Sequence, residues 1–201
     1  MEYWNHNVHY QPVILGAVPA GCTAALDVGC GDGMLAAKLA SCCAAVTGID
    51  RDARMIALAR KRAPDLTFVE ADFLAHPFAD ASFDFVCSNT VAHHMGAEAA
   101  LRTMIRVLRP GGRLAVVGLG KYGSLTDFLP DLAAIPLNKY YQRTRGEGHP
   151  GDPKLPPDLT WAQVRETARR VLPGVRYRRH LLWRYSLIWD KPLTRAPASS
   201  R

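Results

Sequence analysis

Leu26-Asp27-Val28-Gly29-Cys30-Gly31-Asp32-Gly33 is a short apolar run that stops in three glycines spaced two apart. Residues 24–28 read as a buried strand, and residues 33–41 return as a helix. A strand that ends in Gly-x-Gly and opens a helix brings a ligand close to the backbone, because glycine has no Cβ and accepts positive φ.

Downstream, Ala45–Ile49, Leu66–Val69, Phe83–Cys87 and Leu114–Val117 read as further strands. A helix through Ala53, Ile56, Ala57 and Arg60 separates the second strand from the third. A helix over 97–108 precedes the last, with Ala97, Leu101, Met104, Ile105 and Leu108 on one face. Pro110-Gly111-Gly112 is expected to break that helix. Strands alternating with helices predict βαβ units and a parallel sheet covered on both sides, with right-handed crossovers. Upstream, residues 3–15 predict an amphipathic helix carrying Trp4, Val8, Ile14 and Leu15. The stretch 119–159 is rich in Gly and Pro and predicts a loop-rich insertion with a short helix near Leu125–Ala134. Thr160-Trp161-Ala162-Gln163 fits a capping box opening a helix on Trp161, Val164, Ala168 and Val171. Residues 175–190 predict two linked strands, with Trp183, Tyr185, Leu187 and Trp189 on one face. The expected organisation is a single domain over 1–190, with a lid at 1–17, a substrate cover at 119–159 and a flexible tail at 191–201.

Composition narrows the class. The 201 residues are 48 % apolar, enough for a sizeable core. No apolar run approaches the roughly 18 residues of a membrane span. Met1 to Asn7 places an acid and polar residues where a signal peptide needs a basic and then an apolar stretch, so the expected location is cytoplasmic. Cys22, Cys30, Cys42, Cys43 and Cys87 form no C-x-x-C pair, so no metal site is expected. Residues 1–118 hold 10 basic and 11 acidic side chains; residues 119–201 hold 15 and 7. The excess sits mainly in Arg165, Arg169, Arg170, Arg176, Arg178, Arg179 and Arg184. Arginines at helical and strand spacing suit a solvated face, and no nucleic-acid motif accompanies them, so a nucleic-acid partner is disfavoured.

Two cofactor classes use a glycine turn of this kind, dinucleotides and S-adenosylmethionine (SAM). Dinucleotide binding wants G-x-G-x-x-G or G-x-G-x-x-A, and Met34 occupies that third position. Asp27 and Asp32 flank the loop and oppose a diphosphate. They attract a ligand with an ammonium and a sulfonium and no phosphate. Asp32 also fits a role beside the helix dipole. Asp50 ends the second strand and fits the ribose hydroxyls, with helix capping as its alternative role and Asp52 a rival for that. Asp72 follows the third strand and fits the adenine amino group, with Phe73 or Met55 against the ring. Three acids at the ends of three successive strands would line one edge of the sheet.

Together with Phe83–Asn89, Ala92-His93-His94 and Leu108–Leu114, these stretches resemble class I SAM-dependent methyltransferases of the compact, small-molecule type found in bacteria. The resemblance implies an α/β, Rossmann-like three-layer αβα sandwich. Its sheet is mostly parallel and seven-stranded, with one antiparallel strand from a C-terminal hairpin. It implies that Gly29, Cys30 and Gly31, in the loop closed by Gly33, pass the methionine part of SAM. Asp50 and Arg51 would meet the ribose, Asp72 and Phe73 the adenine, and Asn89, Thr90 and Val91 the sulfonium. The run Trp4–Tyr10 resembles a lead-in that folds over the cofactor, which adds His6 and Tyr10 to the expected contacts.

Methyl transfer from a sulfonium is an in-line displacement in which the protein supplies position and a dry site. A base is needed only where the acceptor must lose a proton. His93 and His94 are the candidates for base or positioning residue, with His6 and His9 within reach from the lid. The expected reaction takes the methyl group to a small-molecule acceptor, leaving S-adenosylhomocysteine, in a monomer or homodimer. The competing readings are a methyltransferase acting on nucleic acid or protein through the basic C-terminal part, a non-catalytic SAM-binding protein, and, disfavoured by Met34 and Asp27, an NAD-dependent oxidoreductase.

Overall fold

The computed structural model describes residues 3–91, 95–124, 127–132, 134–145 and 157–193. A seven-stranded sheet has the order β3-β2-β1-β4-β5-β7-β6. Its strands are β1 (Ala24–Val28), β2 (Ala45–Asp50), β3 (Thr67–Glu70), β4 (Phe83–Asn89), β5 (Leu108–Gly118), β6 (Arg176–His180) and β7 (Arg184–Asp190). The pairs from β3 to β5 are parallel, and β7 alone runs antiparallel, between β5 and β6. The fold class is the expected one. The strand order reverses between β1 and β4, and open α/β sheets bind ligands at the carboxyl edge of such a point.

The central strands β1 and β4 and the second half of β5 are buried on both faces and largely apolar, whereas β6 at the edge carries Arg176, Arg178 and Arg179. Side chains alternate between two cores. Leu26, Val28, Val86, Leu114 and Val116 face a core shared with α4 (Ala97–Val107) and α7 (Trp161–Val171). Ala25, Phe85, Cys87, Ala115 and Val117 face the other core, shared with α1 (His6–Leu15), α2 (Met34–Leu39) and α3 (Ala53–Arg62). On α4, Leu101 and Met104 are buried at the predicted spacing. Truncating Met104 to Ala would cost about 2–5 kcal/mol. The α7 capping box is formed in full: Gln163 N donates to Thr160 Oγ1, and Thr160 N donates to Gln163 Oε1.

Three expectations change. Pro110-Gly111-Gly112 lies within β5 instead of before it: Phe83 pairs with Leu108 and Phe85 with Arg113, so the strand bulges there. Gly111, at φ 78°, donates to Lys191 O, which keeps the bulge tied to the chain after β7. The insertion is more helical than its composition suggests. It holds α5 (Leu129–Leu132) and the 12-residue α6 (Ala134–Arg145). Pro136 is the third residue of α6, in the first turn where a missing N–H breaks no helical bond. Trp183 leaves the expected face, because it sits at φ 58° in the turn between β6 and β7 and packs on the opposite core from Tyr185, Leu187 and Trp189.

Candidate functional site

A cavity of about 470 Å³ opens at the carboxyl edge of β1, β2, β3 and β4, within the range of small-ligand sites. The glycine loop, Asp27, Asp50, Asp72, Phe73 and Met55 line one wall. Asn5, Asn7, Val8 and Gln11, from α1 and the residue that caps it, line the other. Asn89, Val91 and Met95 line the β4 side.

The three glycines of the loop have different jobs. All have positive φ, at 72°, 53° and 76° for Gly29, Gly31 and Gly33. A Cβ on Gly29 would overlap the side chain of Val91, so this glycine lets the β4 loop close down on the β1 loop. A Cβ on Gly31 would meet no atom within 4 Å, which leaves free space beside the cavity. A Cβ on Gly33 would come within 2.9 Å of Ala59 on α3. Gly33 does not line the cavity; it lets α2 and α3 pack closely. The loop is fixed to the end of β2, since Gly29 N and Cys30 N both donate to Ile49 O at 2.8 and 3.1 Å. Burial pushes the Cys30 thiol up, well above the ordinary range, so it packs as a neutral side chain.

The acids divide in the same way. Asp27 is 1 % exposed; the Cys87 thiol donates to its Oδ1 at 3.7 Å, and its buried Oδ2 has no hydrogen-bond partner. Burial raises its carboxyl to about 7, against the opposing Cys87 hydrogen bond and with help from the charge of Asp50. A buried carboxylate oxygen without a partner costs the folded protein free energy. Asp50 holds the loop, accepting from Gly31 N at 2.9 Å and from Asp52 N at 3.0 Å. Asp52, not Asp50, caps α3, accepting from Arg54 N and Met55 N. Asp72 accepts from Leu74 N at 2.9 Å and is exposed at the cavity rim. Asp32, absent from the expected contacts except as a flanking charge, lines the cavity but is neutralised by Arg62, whose guanidinium donates to it at 2.5 Å.

Of the residues singled out in the sequence, the structure brings Asp27, Gly29, Cys30, Gly31, Asp50, Arg51, Met55, Asp72, Phe73, Asn89 and Val91 to one cavity. Gly33, Thr90, His6 and Tyr10 stand outside it. Thr90, at φ 69°, turns its backbone N–H to Val117 O at 2.7 Å and its hydroxyl to Asn89 Oδ1. His6 Nε2 bonds Asn138 Oδ1 on α6 at 2.7 Å, and the Tyr10 hydroxyl donates to Leu181 O at 2.5 Å. His9 packs on Tyr10 and Tyr141. The reason is helical phase: the face of α1 over the cavity carries Asn7, Val8 and Gln11, and His6, His9 and Tyr10 fall on the face toward α6 and the hairpin. The amides Asn7 and Gln11, spaced i and i+4, were the missed signal. His93 and His94 lie outside the described residues. Among the described residues no three His, Cys, Asp or Glu side chains gather as a metal would require. No helix among them is long and apolar enough to cross a membrane.

Comparison with known proteins agrees with this geometry. Residues 26–116 match a methyltransferase domain family. An uncharacterized methyltransferase of Mycobacterium bovis is 36 % identical over 195 residues, covering 94 % of this chain and 98 % of its own. The phthiotriol/phenolphthiotriol dimycocerosates methyltransferase of Mycobacterium tuberculosis is 36 % identical over 131 residues, covering 63 % of this chain and 48 % of its own. In fold, a SAM-dependent methyltransferase of Methanosarcina mazei superposes with a TM-score of 0.64 at 22 % identity, covering 90 % of this chain and 98 % of its own. A relative matched over its full length and a methyltransferase domain match make one conclusion: this chain belongs to the methyltransferases, and it has the fold of SAM-dependent ones.

Proposed function

We propose that the chain moves the methyl group of SAM to a small-molecule acceptor by in-line displacement. The observation that carries this reading is an acid-lined cavity at the sheet's carboxyl edge, with the buried carboxyl of Asp27, whose Oδ2 has no hydrogen-bond partner, among its lining residues. The residues present fit the cofactor: Asp27 suits its ammonium, Asp50 and Arg51 its ribose, and Asp72, Phe73 and Met55 its adenine. When bound, SAM supplies an electrophilic methyl carbon on a sulfonium. The protein's share is to orient and to exclude water. Asp50 fixes the loop that faces the ligand, and α1 covers it. Asn89 Nδ2 donates to Asn7 O at 2.9 Å, closing the β4 side under α1.

We read residues 1–17 as the lid and 119–159 as the acceptor's cover, because α6 reaches the lid through Asn138–His6 and through Tyr141, which packs on Trp4 at 5.3 Å between ring centroids. The small-molecule acceptor draws support from relatives named for demethylmenaquinone and for phthiotriol/phenolphthiotriol dimycocerosates. The basic C-terminal part offers less to a nucleic acid than its count suggests. Arg170 pairs with Glu98, Arg179 with Asp131, and Arg184 is buried. The cytoplasm is the matching location for such an enzyme.

Methyl-labelled SAM, added with the protein to cell extract that is then split into small-molecule and macromolecular fractions, tests the assignment. Label is expected among the small molecules. Label in protein or nucleic acid would overturn the acceptor class, and no label anywhere would favour a non-catalytic SAM-binding protein.

A further inference from the structure

Two amides on α1, one helical turn apart, face the cavity with their polarity fixed from behind. Arg184 Nη2 donates to Asn7 Oδ1 at 2.7 Å, and Lys38 Nζ donates to Gln11 Oε1 at 3.0 Å. Guanidinium and ammonium groups carry only donors, so the atom facing each must be the amide oxygen. The NH2 ends of Asn7 and Gln11 are therefore turned away from these cations, and both residues line the cavity. Neither NH2 group has an acceptor among the described residues. Gln11 is 4 % exposed, and Arg184, at 6 %, has no carboxylate partner among the described residues; its other acceptors there are the carbonyls of Leu182 and Trp183.

A cation behind an amide polarises its N–H groups and strengthens the hydrogen bonds they make. Two such amides about 6 Å apart can converge on one anionic group. On the opposite wall of the same cavity, the buried acid Asp27 is among the lining residues. The cavity thus offers donors backed by positive charge and an acid at separate places, which suits a zwitterion. We propose that Asn7 and Gln11 form a paired-amide cradle for the carboxylate at the cofactor's amino-acid end, with Arg184 and Lys38 as the positioning residues that orient them. The cradle rests on the SAM reading above and adds where the carboxylate goes.

Calorimetry on the full chain tests it with two probes, S-adenosylhomocysteine and its analogue with hydrogen in place of the carboxylate. The ratio of their Kd values reads the carboxylate alone. In the wild type, S-adenosylhomocysteine should bind about tenfold to a hundredfold more tightly. Asn7→Asp and Gln11→Glu keep shape and pair with Arg184 and Lys38, so the fold and its Tm should hold. Yet each turns an oxygen toward the ligand, so the ratio should fall, to about 1 or below in the double variant. A merely structural role would leave the ratio unchanged. An equal Kd for both probes in the wild type, or an unchanged ratio in the double variant, would overturn the cradle. If neither probe binds the wild type, the SAM reading falls, and the cradle with it.

Discussion

The two walls of the cavity are held by contacts of very different reach. On the glycine-loop wall, Gly31 is tied to Asp50 across 19 residues and Asp32 to Arg62 across 30. On the α1 wall, Asn7 is held from Asn89, 82 residues away, and from Arg184, 177 away, and Tyr10 is held by Leu181 across 171. The first wall is built by backbone turns and strand ends within a few βα units. The second is a helix docked by hydrogen bonds to β4 and to the last hairpin. Short-range walls shape the ligand; the long-range wall closes over it.

The largest expected effect lies on the first wall. Asp50→Ala removes the carboxylate that holds Gly31 N, Asp52 N and the proposed ribose contacts, and charged hydrogen bonds are worth about 1.5–3 kcal/mol each. SAM affinity measured by calorimetry should fall by about a hundredfold or more, with the cooperative unfolding transition retained. Unchanged affinity would remove Asp50 from the ribose role. Next, Gly31→Ala and Gly33→Ala separate binding from packing. Both pay strain at positive φ, roughly 1 kcal/mol. Gly33→Ala additionally presses on Ala59 and should show the greater loss in denaturant midpoint, and Gly31→Ala, with open space around it, the greater loss in SAM affinity. The reverse order would reassign the two glycines.

The pH dependence is smaller and has a definite sign. The Asp27 carboxyl is raised from 3.8 to about 7 in the folded chain, mainly by burial. Its contribution to stability is present in full below about 4 and is lost as pH rises through 7. A ligand ammonium favours the ionised form, so SAM affinity should climb between pH 6 and 8, with proton release on binding near pH 6.5. Asp27→Asn should flatten both trends; a variant that keeps them would place the titration elsewhere. The smallest effect belongs to the second wall. Burial raises the Tyr10 hydroxyl to about 12, so it remains a donor at neutral pH. Tyr10→Phe removes its bond to Leu181 O, costing about 1 kcal/mol in thermal unfolding. SAM affinity should change only a few-fold; a loss as large as that of Asp50→Ala would make Tyr10 a direct contact.

The same contrast decides what could be read from the sequence. Asp27, Gly31, Asp50 and Asp72 were legible because strand ends and glycine spacing are local, and a parallel sheet brings successive strand ends to one edge. Asp52 resolved the capping of α3 within two residues of Asp50. The α1 wall was not legible: its helix was expected, but which face meets the cavity depends on Arg184 and Lys38, and nothing in residues 6–15 fixes that phase. Arg184 itself reads in the sequence as one of seven surface arginines. Its burial follows from β7 running antiparallel inside the sheet, where position 184 faces α1. Likewise α6 was hidden by Pro136, whose place in a first turn is a fact of the helix boundary. The bulge of β5 was hidden by Pro110 and two glycines that normally end an element.

The most direct test is calorimetric titration of the full chain with S-adenosylhomocysteine and, separately, with NADH. The acid-lined cavity predicts S-adenosylhomocysteine binding in a range of about 1–100 μM, as small ligands commonly show, and no measurable NADH binding. NADH binding without S-adenosylhomocysteine binding would contradict the account at its centre.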